Sequence, residues 1–415
     1  MKILVLNSGS SSQKTALFEL DAKSSPEPIA PLWEGKLDWN GNDEALSIKN
    51  SCGQRIRTDA ETASGDRQAS VEKLLRNLWS GPAAVLQSAS EIHSAGHRIV
   101  HGGPNLTQPV IVTSEVKRSI ANLSAIAPLH NQAGLEGIAI IEKLLPSIPQ
   151  VAVFDTGFHR TLPVAAKTYA GPYDWYEQGI RRFGFHGINH EYCANRATQL
   201  LGRDLQHLKV ISCHLGNGCS LAAIDGGKSV DTTMGFTPLE GLMMGTRTGS
   251  IDPGILTHLL RTKYAGEHDL DGILNHKSGL LGISGISSDM RDILEALRNG
   301  NERAKLAFDI FVHRLCSEIA AMAASLGGFD VLVFTAGIGE NSAEVRAAAC
   351  TQLKFLGIEI DTAKNAAVKP DAQISPPSSK VDVLVIRAQE DWSIARECVR
   401  MSEQGRPTDI TALPR

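Results

Sequence analysis

The chain has 415 residues, 42% apolar and 21% charged, with a formal net charge of −4. That length exceeds what a single hydrophobic core ordinarily serves and predicts two domains. The composition is that of a soluble globular protein, and the lack of any clustered basic tract argues against a nucleic-acid or membrane-binding surface. The seven cysteines (Cys52, Cys193, Cys213, Cys219, Cys316, Cys350 and Cys398) are odd in number and scattered, with no Cys-x-x-Cys. They read as reduced thiols of a cytoplasmic protein, not as a disulfide framework or a zinc site. No apolar run approaches the length of a membrane helix. The apolar start ends at Asn7, too early for a secretory signal.

In chain order, Ile3–Leu6 reads as a buried strand and Thr15–Leu20 as a second one. Between them lies Asn7-Ser8-Gly9-Ser10-Ser11-Ser12-Gln13-Lys14. Hydroxyls, backbone N–H groups and a lysine in one loop suit phosphate oxygens, although a solvated hairpin turn has the same composition. A Walker A loop needs a second glycine before its lysine and joins a strand to a helix; this stretch does neither. Residues 21–70 are polar and weakly periodic and receive no assignment. Helices are predicted at Val71–Leu78, Gln132–Leu144, His190–Leu201, Arg291–Leu297, Glu302–Leu326 and about Glu390–Met401.

The segment His97–Gly103 sets Arg98 among apolar residues before a glycine pair. A guanidinium there suits a carboxylate or phosphate, or a structural salt bridge. His97 and His101 read as core or hydrogen-bonding histidines. The strand Gln150–Phe154 delivers Asp155 at its carboxyl end, where α/β sheets bind ligands. Pro128–Asn131 reads as the approach to a helix, and His186 sits between aromatics and glycine.

Leu208–Cys213, the glycine turn His214-Leu215-Gly216-Asn217-Gly218 and Cys219–Ile224 repeat the strand–turn–strand design of the amino terminus. The repeat predicts an internal duplication, hence two related α/β domains. A third strand, Lys228–Thr232, follows Asp225-Gly226-Gly227. The loop Gly245–Gly254 carries Arg247. Gly282–Arg291 brings Asp289 to a helix entry, where it is equally an N-cap. Strand Asp330–Phe334 ends at Gly337-Ile338-Gly339-Glu340-Asn341, and strand Val381–Ile386 leads to Glu390. Lys369–Lys380 reads as a Pro/Ser loop and Gln404–Arg415 as a tail.

Taken in this order, Asn7–Lys14, His97–Gly103, Phe154–His159, Phe183–Gly187, His214–Gly218, Gly245–Pro253, Ser287–Arg291 and Gly337–Asn341 resemble the signatures of the acetate kinase family over nearly the whole chain. The resemblance implies the fold of the acetate/sugar kinase, Hsp70 and actin superfamily: a duplicated ribonuclease-H-like α/β fold in two domains with a cleft between them. The domains would be 1–157 with the returning 390–415, and 158–389. It implies reversible, Mg²⁺-dependent (alternatively Mn²⁺-dependent) transfer of the ATP γ-phosphate to acetate, giving acetyl phosphate and ADP. It also implies a cytoplasmic homodimer.

By the same resemblance Asn7 and Glu390 serve the metal, and Lys14, Ser10 and Ser12 the ATP phosphates. His214, Leu215, Gly216, Asn217 and Gly218 would hold the nucleotide, with Asp289, Met290, Arg291, Gly337, Ile338, Gly339, Glu340 and Asn341. Arg98 would bind the substrate carboxylate, Asp155 would be the essential acid, and His186 and Arg247 would stabilise the transition state. Val100, Leu129, Phe185 and Pro238 would form the pocket for the methyl group. The chain departs from common members at Ser250, at Pro104 and Leu106, and at Phe183. Rival readings are a propionate or butyrate kinase of the same family, a chaperone or filament ATPase of the superfamily, and a nucleotide sensor with dead chemistry.

Overall fold

The computed structural model describes residues 1–9, 12–21, 27–40, 43–50, 54–57, 67–123, 128–262 and 267–404. The chain divides into two compact units, Met1–Gly157 with Gln389–Arg415, and Phe158–Ala388.

In the first unit β1 (Lys2–Ser8), β2 (Ser12–Glu19), β3 (Trp33–Asn40), β4 (Asp43–Asn50), β5 (Arg55–Arg57), β6 (Ser94–Ile99), β7 (Val110–Ile111) and β8 (Gln150–Phe154) form one eight-stranded sheet in the order β5-β4-β3-β2-β1-β6-β8-β7. β1, β2 and β3 pair antiparallel, while β6 joins β1 and β8 joins β6 in parallel. The continuous run Ile3–Leu6 is fully buried, because a central strand covered on both faces has no solvated side. The helix Glu390–Gln404 lies directly on β6 at Gly96, where a Cβ would sit 2.5 Å from Ile394 and 2.7 Å from Cys398. A chain segment from the far carboxyl end thereby becomes part of the first unit's core.

Strands β3, β4 and β5 occupy the stretch 21–70 that the sequence left unassigned. In β3 (WEGKLDWN) buried Trp33 and Leu37 alternate with charged residues. Its interior Gly35 leaves room for the Trp33 ring and Leu74. The alternation belongs to a sheet with one solvated face, and the glycine that masks it is a packing requirement.

In the second unit β9 (Lys209–Leu215), β10 (Cys219–Asp225), β11 (Lys228–Thr232), β12 (Val331–Thr335), β13 (Ala372–Gln373) and β14 (Asp382–Val385) form a six-stranded sheet in the order β11-β10-β9-β12-β14-β13. The run β11-β10-β9-β12-β14 repeats β3-β2-β1-β6-β8: three antiparallel strands, then two parallel additions. Both halves are therefore the same ribonuclease-H-like α/β design, and the fold is its duplication.

Several boundaries differ from the sequence reading. The helix expected at Gln132 begins at Pro128, since proline is pre-organised for a first helical turn; Pro128–Asn131 is thus helix, not its approach. The helices expected at Val71, His190 and Arg291 run over Arg67–Arg76, Gly187–Leu201 and Met290–Arg298. The Pro/Ser loop at 369–380 contains β13, which pairs with β14. The tail beyond Gln404 lies outside the described residues. The six cysteines among the described residues are all free and buried, and among those residues no helix is long and apolar enough to cross a membrane.

Candidate functional site

In the first unit the carboxyl ends of β1, β6 and β8 converge with the amino end of the last helix. Asn7 stands near the end of β1, Arg98 on β6, Asp155 just past β8, and Glu390 with Asp391 opens the helix. Arg98 grips Asp155 through Nε to Oδ1 (2.9 Å) and Nη2 to Oδ2 (2.6 Å). Its Nη1 donates to Asn7 Oδ1 (3.1 Å), and Asn7 Nδ2 donates to Asp391 Oδ1 (3.2 Å). Glu390 lies 4.0 Å from the guanidinium. Burial opposes the charge on Arg98, but the Asp155 and Glu390 carboxylates outweigh it and raise the guanidinium pKa. The Asp391 carboxyl is raised by burial and then by neighbouring Glu390.

The serine turn is shorter than its sequence motif. Asn7 and Ser8 belong to β1, while Ser12, Gln13 and Lys14 belong to β2. Gly9 N–H donates to the Ser12 carbonyl (2.8 Å) and Ser8 Oγ to Gln13 Oε1 (2.7 Å). Lys14 is paired in register with Asn7 and exposed. Ser10 lies outside the described residues. Arg67, which the sequence reading did not single out, donates to the Gly9 carbonyl, and its guanidinium lies over Trp39 at 4.1 Å. Val100 is buried. Leu129 is in the first turn of the helix Pro128–Leu144, and its side chain lies outside the described residues.

The donors gathered here (Asn7, Asp155, Glu390 and Asp391) all offer oxygen, which fits a hard divalent cation. Among the described residues no three His, Cys, Asp or Glu side chains form a ready-made cage. A cation bound here would take its remaining ligands from phosphate oxygens and water, as Mg²⁺ commonly does.

In the second unit His214 and Leu215 are the last residues of β9, so the turn proper is Gly216–Gly218. Gly216 N–H donates to the Gly218 carbonyl and Gly245 N–H to the Asn217 carbonyl, both at 3.0 Å. A Cβ on Gly218 would lie 3.5 Å from Arg247 Nη1 and 3.5 Å from His186 Nε2. These two side chains therefore converge on one point above the turn. Arg247 is largely enclosed and donates to the Pro238 carbonyl (3.0 Å) and the Met244 sulfur (3.8 Å). It has no ion-pair partner among the described residues; burial lowers its pKa, offset only by the Cys219 thiol. A desolvated cation without an anion is a site prepared for one.

His186 is the N-cap of Gly187–Leu201 with φ 55°, left-handed for a side-chain-bearing residue. Its ring stacks on His214 with centroids 3.9 Å apart and 8° between planes. Asn189 Nδ2 donates to His214 Nδ1 (2.9 Å), which places the His214 proton on Nε2. Phe185 is buried, and its carbonyl lies 3.0 Å from His159 Nε2.

The same turn touches two helix entries: a Cβ on Gly245 would meet Asn217 and the Ser288 carbonyl, and one on Gly216 would lie 3.8 Å from Ala336. At the first entry Asp289 caps Met290–Arg298 by accepting from Arg291 N–H (2.9 Å), while exposed Arg291 turns back onto Asp289 and Met290 is buried. At the second, Gly337–Asn341 are themselves helical. Glu340 Oε1 accepts from Ala336 N–H (3.0 Å) and Ala388 N–H (2.8 Å), and Asn341 Nδ2 donates to the Gly337 carbonyl (2.8 Å). Gly337 faces open space. Gly339 lies against the strand backbone, its Cβ position 3.3 Å from Phe334 C and 3.6 Å from the Cys213 carbonyl, and Ile338 accepts a capping bond from Ser342.

The sequence reading missed Asp391, Arg67, Asn189, His190, Ser212 and Ser220. One signal was present: Ser212 and His214 are polar two residues apart in an apolar strand, and β10 sets Ser220 opposite His214. That marks one polar face on otherwise apolar strands.

Two mixed sheets that share a five-strand core wiring, one presenting carboxylates and an arginine and the other a largely enclosed arginine with no ion-pair partner among the described residues, define a phosphotransferase-like α/β protein of duplicated ribonuclease-H-like fold. The crystal structure of Porphyromonas gingivalis acetate kinase matches with a TM-score of 0.88 at 41% identity, covering 97% of this chain and 99% of that one. A propionate kinase from Francisella tularensis matches with a TM-score of 0.86 at 37% identity, covering 95% and 98%. The acetate kinase of a Nostoc species is 56% identical over 403 residues, 96% of this chain and 98% of that one. The acetokinase family model matches residues 2–396, and the chain belongs to the acetokinase family.

Proposed function

We propose that the protein transfers the γ-phosphoryl group of ATP reversibly to acetate, forming ADP and acetyl phosphate by direct in-line displacement. The observation that carries this reading is Arg247: a largely enclosed guanidinium with no anionic partner among the described residues, converging with His186 on one point beside a glycine turn.

Acetate is ionised near neutral pH because carboxyl pKa values lie near 4. The nucleophile needs no general base, and the barrier is repulsion between two anions. Arg247 and His186 answer that repulsion by donating to equatorial phosphoryl oxygens as charge redistributes. Arg98 binds the acetate carboxylate through the N–H groups left over from Asp155 and Asn7. Asp155 orients Arg98 and water instead of abstracting a proton. Asn7 and Glu390 would hold a divalent cation, Mg²⁺ or alternatively Mn²⁺, which would supply positive charge against the phosphates. The family resemblance assigns Lys14, Ser10 and Ser12 to the phosphate oxygens. His214–Gly218, Asp289–Arg291 and Gly337–Asn341 hold the rest of the nucleotide, with Gly337 leaving room for it. The family resemblance assigns Val100, Leu129, Phe185 and Pro238 to the methyl group.

The propionate kinase match supports a second reading, a longer acyl acceptor. One methylene is worth only about 1–3 kcal/mol in an apolar pocket, so propionate is expected as a poorer substrate and bulky Val100 favours acetate. The test is acetate-dependent ADP formation with hydroxylamine trapping of acetyl phosphate. ATP hydrolysis indifferent to acetate would overturn the reading, and equal kcat/KM for propionate would replace it by the second. The family resemblance also supports a cytoplasmic homodimer, which sedimentation and cell fractionation would check.

A further inference from the structure

Behind His186 lies a chain of buried polar groups that phosphate chemistry does not itself require. Ser220 Oγ is 2.9 Å from His186 Nδ1 and 2.8 Å from His190 Nε2, and His190 Nδ1 is 2.9 Å from Ser212 Oγ. Ser212, Ser220 and His190 are all 0% exposed. Three different elements supply them: β9, β10 and the helix that begins at Gly187.

We propose that Ser212, His190 and Ser220 are positioning residues that hold His186 in its neutral Nε2–H tautomer. The inference rests on the role given above to His186. Nε2 is the atom that shares with Arg247 Nη1 the point beside Gly218. A neutral imidazole donates from Nε2 only when Nδ1 accepts. Each hydroxyl has one hydrogen and neutral His190 has one N–H, so the rest of the chain follows. Ser220 Oγ–H donates to His186 Nδ1, His190 Nε2–H donates to Ser220 Oγ, and Ser212 Oγ–H donates to His190 Nδ1. No net proton moves; in this polarity the chain leaves the single ring proton of His186 on Nε2.

Titratable and charged groups near His186 include Arg247, His214 stacked on its face, His190 behind Ser220, His159 against His190, and Cys219 near Arg247. Burial keeps His190 and His159 uncharged at neutral pH. A second positive charge beside Arg247 would be repelled. A neutral donor with its proton on the correct nitrogen delivers a hydrogen bond to an anion without that cost, as helix-end imidazoles do in other enzymes.

The test begins with the unmodified protein. Nitrogen-15 NMR of histidine-labelled protein, with His186→Asn used only to assign the signal, should show a proton-bearing Nε2 and a bare, accepting Nδ1 across pH 6–8. A proton on Nδ1 would overturn the proposal. Ser220→Ala should fold, lower kcat about 10- to 100-fold with little change in KM for acetate, and introduce a pH dependence near the ordinary histidine value. His190→Gln, which keeps an N–H, should retain more activity than His190→Leu. Ser220→Ala with wild-type kcat and pH profile, while His186→Ala is impaired, would reject the relay alone. Full activity in His186→Ala would instead reject the reading on which it rests.

Discussion

Arg98 and Asp155 meet side-on, Nε to Oδ1 at 2.9 Å and Nη2 to Oδ2 at 2.6 Å, with Asp155 only 1% exposed. They are 57 residues apart in sequence and sit at the ends of neighbouring parallel strands. A buried pair of this kind contributes less through attraction than it costs when broken, because the survivor is left charged in a dry site. Asp155→Ala should therefore lower stability by about 3–5 kcal/mol and abolish turnover. Asp155→Asn, which keeps the shape, should lose activity with a smaller loss of stability. Urea unfolding and a Mg²⁺ titration of each variant check both parts; an unchanged Mg²⁺ dependence in Asp155→Asn would remove the residue from metal and water organisation.

Arg247 presents the opposite case. It is enclosed without a carboxylate among the described residues, so its charge is a cost to the ligand-free fold. Arg247→Met should leave the melting temperature unchanged or raise it, while kcat falls about 10²–10³-fold. A destabilised variant, or one with near-normal turnover in both directions, would contradict this.

Gly218 separates space for a ligand from space needed by the fold. An alanine Cβ there makes ordinary contacts of 3.5 Å with Arg247 and His186, and its φ is not left-handed. Gly218→Ala should fold normally yet bind phosphate poorly, raising KM for ATP. Gly184→Ala is the contrast, with φ 76° and a Cβ 2.6 Å from His159. It should lose roughly 1–3 kcal/mol of stability.

Acid should destabilise the protein through its buried neutral histidines. Burial pushes His97 and His159 down to about 4. His97 Nε2 meets Gln150 at 2.7 Å, and its Nδ1 has no hydrogen-bond partner, so the ring has nowhere to direct a second proton. In the unfolded chain these rings protonate near pH 6.5, but in the native state they do so only near pH 4. Their stabilisation is complete above 6.5 and is lost as pH falls toward 4, at up to about 1.4 kcal/mol per pH unit for each ring. Urea unfolding at pH 7 and pH 5 should show this loss, and His97→Gln should reduce it.

Much of this could be read from residue order. Ile3–Leu6, Gln150–Phe154 and the strands around His214–Gly218 announce themselves as apolar runs ended by glycine and polar residues, since central strands are buried on both faces and their turns need special backbone. The repeated hairpin revealed the duplication, and the ordered motifs pointed to the family. Strands β3 to β5 stayed hidden because an edge region with one solvated face and an interior glycine carries little hydrophobic signal. Local pattern could also rank Arg98, Asp155, His186 and Arg247 as candidates. It could not say that Arg98 is held by Asp155 and Asn7, that Arg247 meets no carboxylate among the described residues, or that Ser212 and His190 stand behind His186. Those are matters of distance between atoms far apart in sequence, set by strand register and helix packing, and only the folded chain decides them.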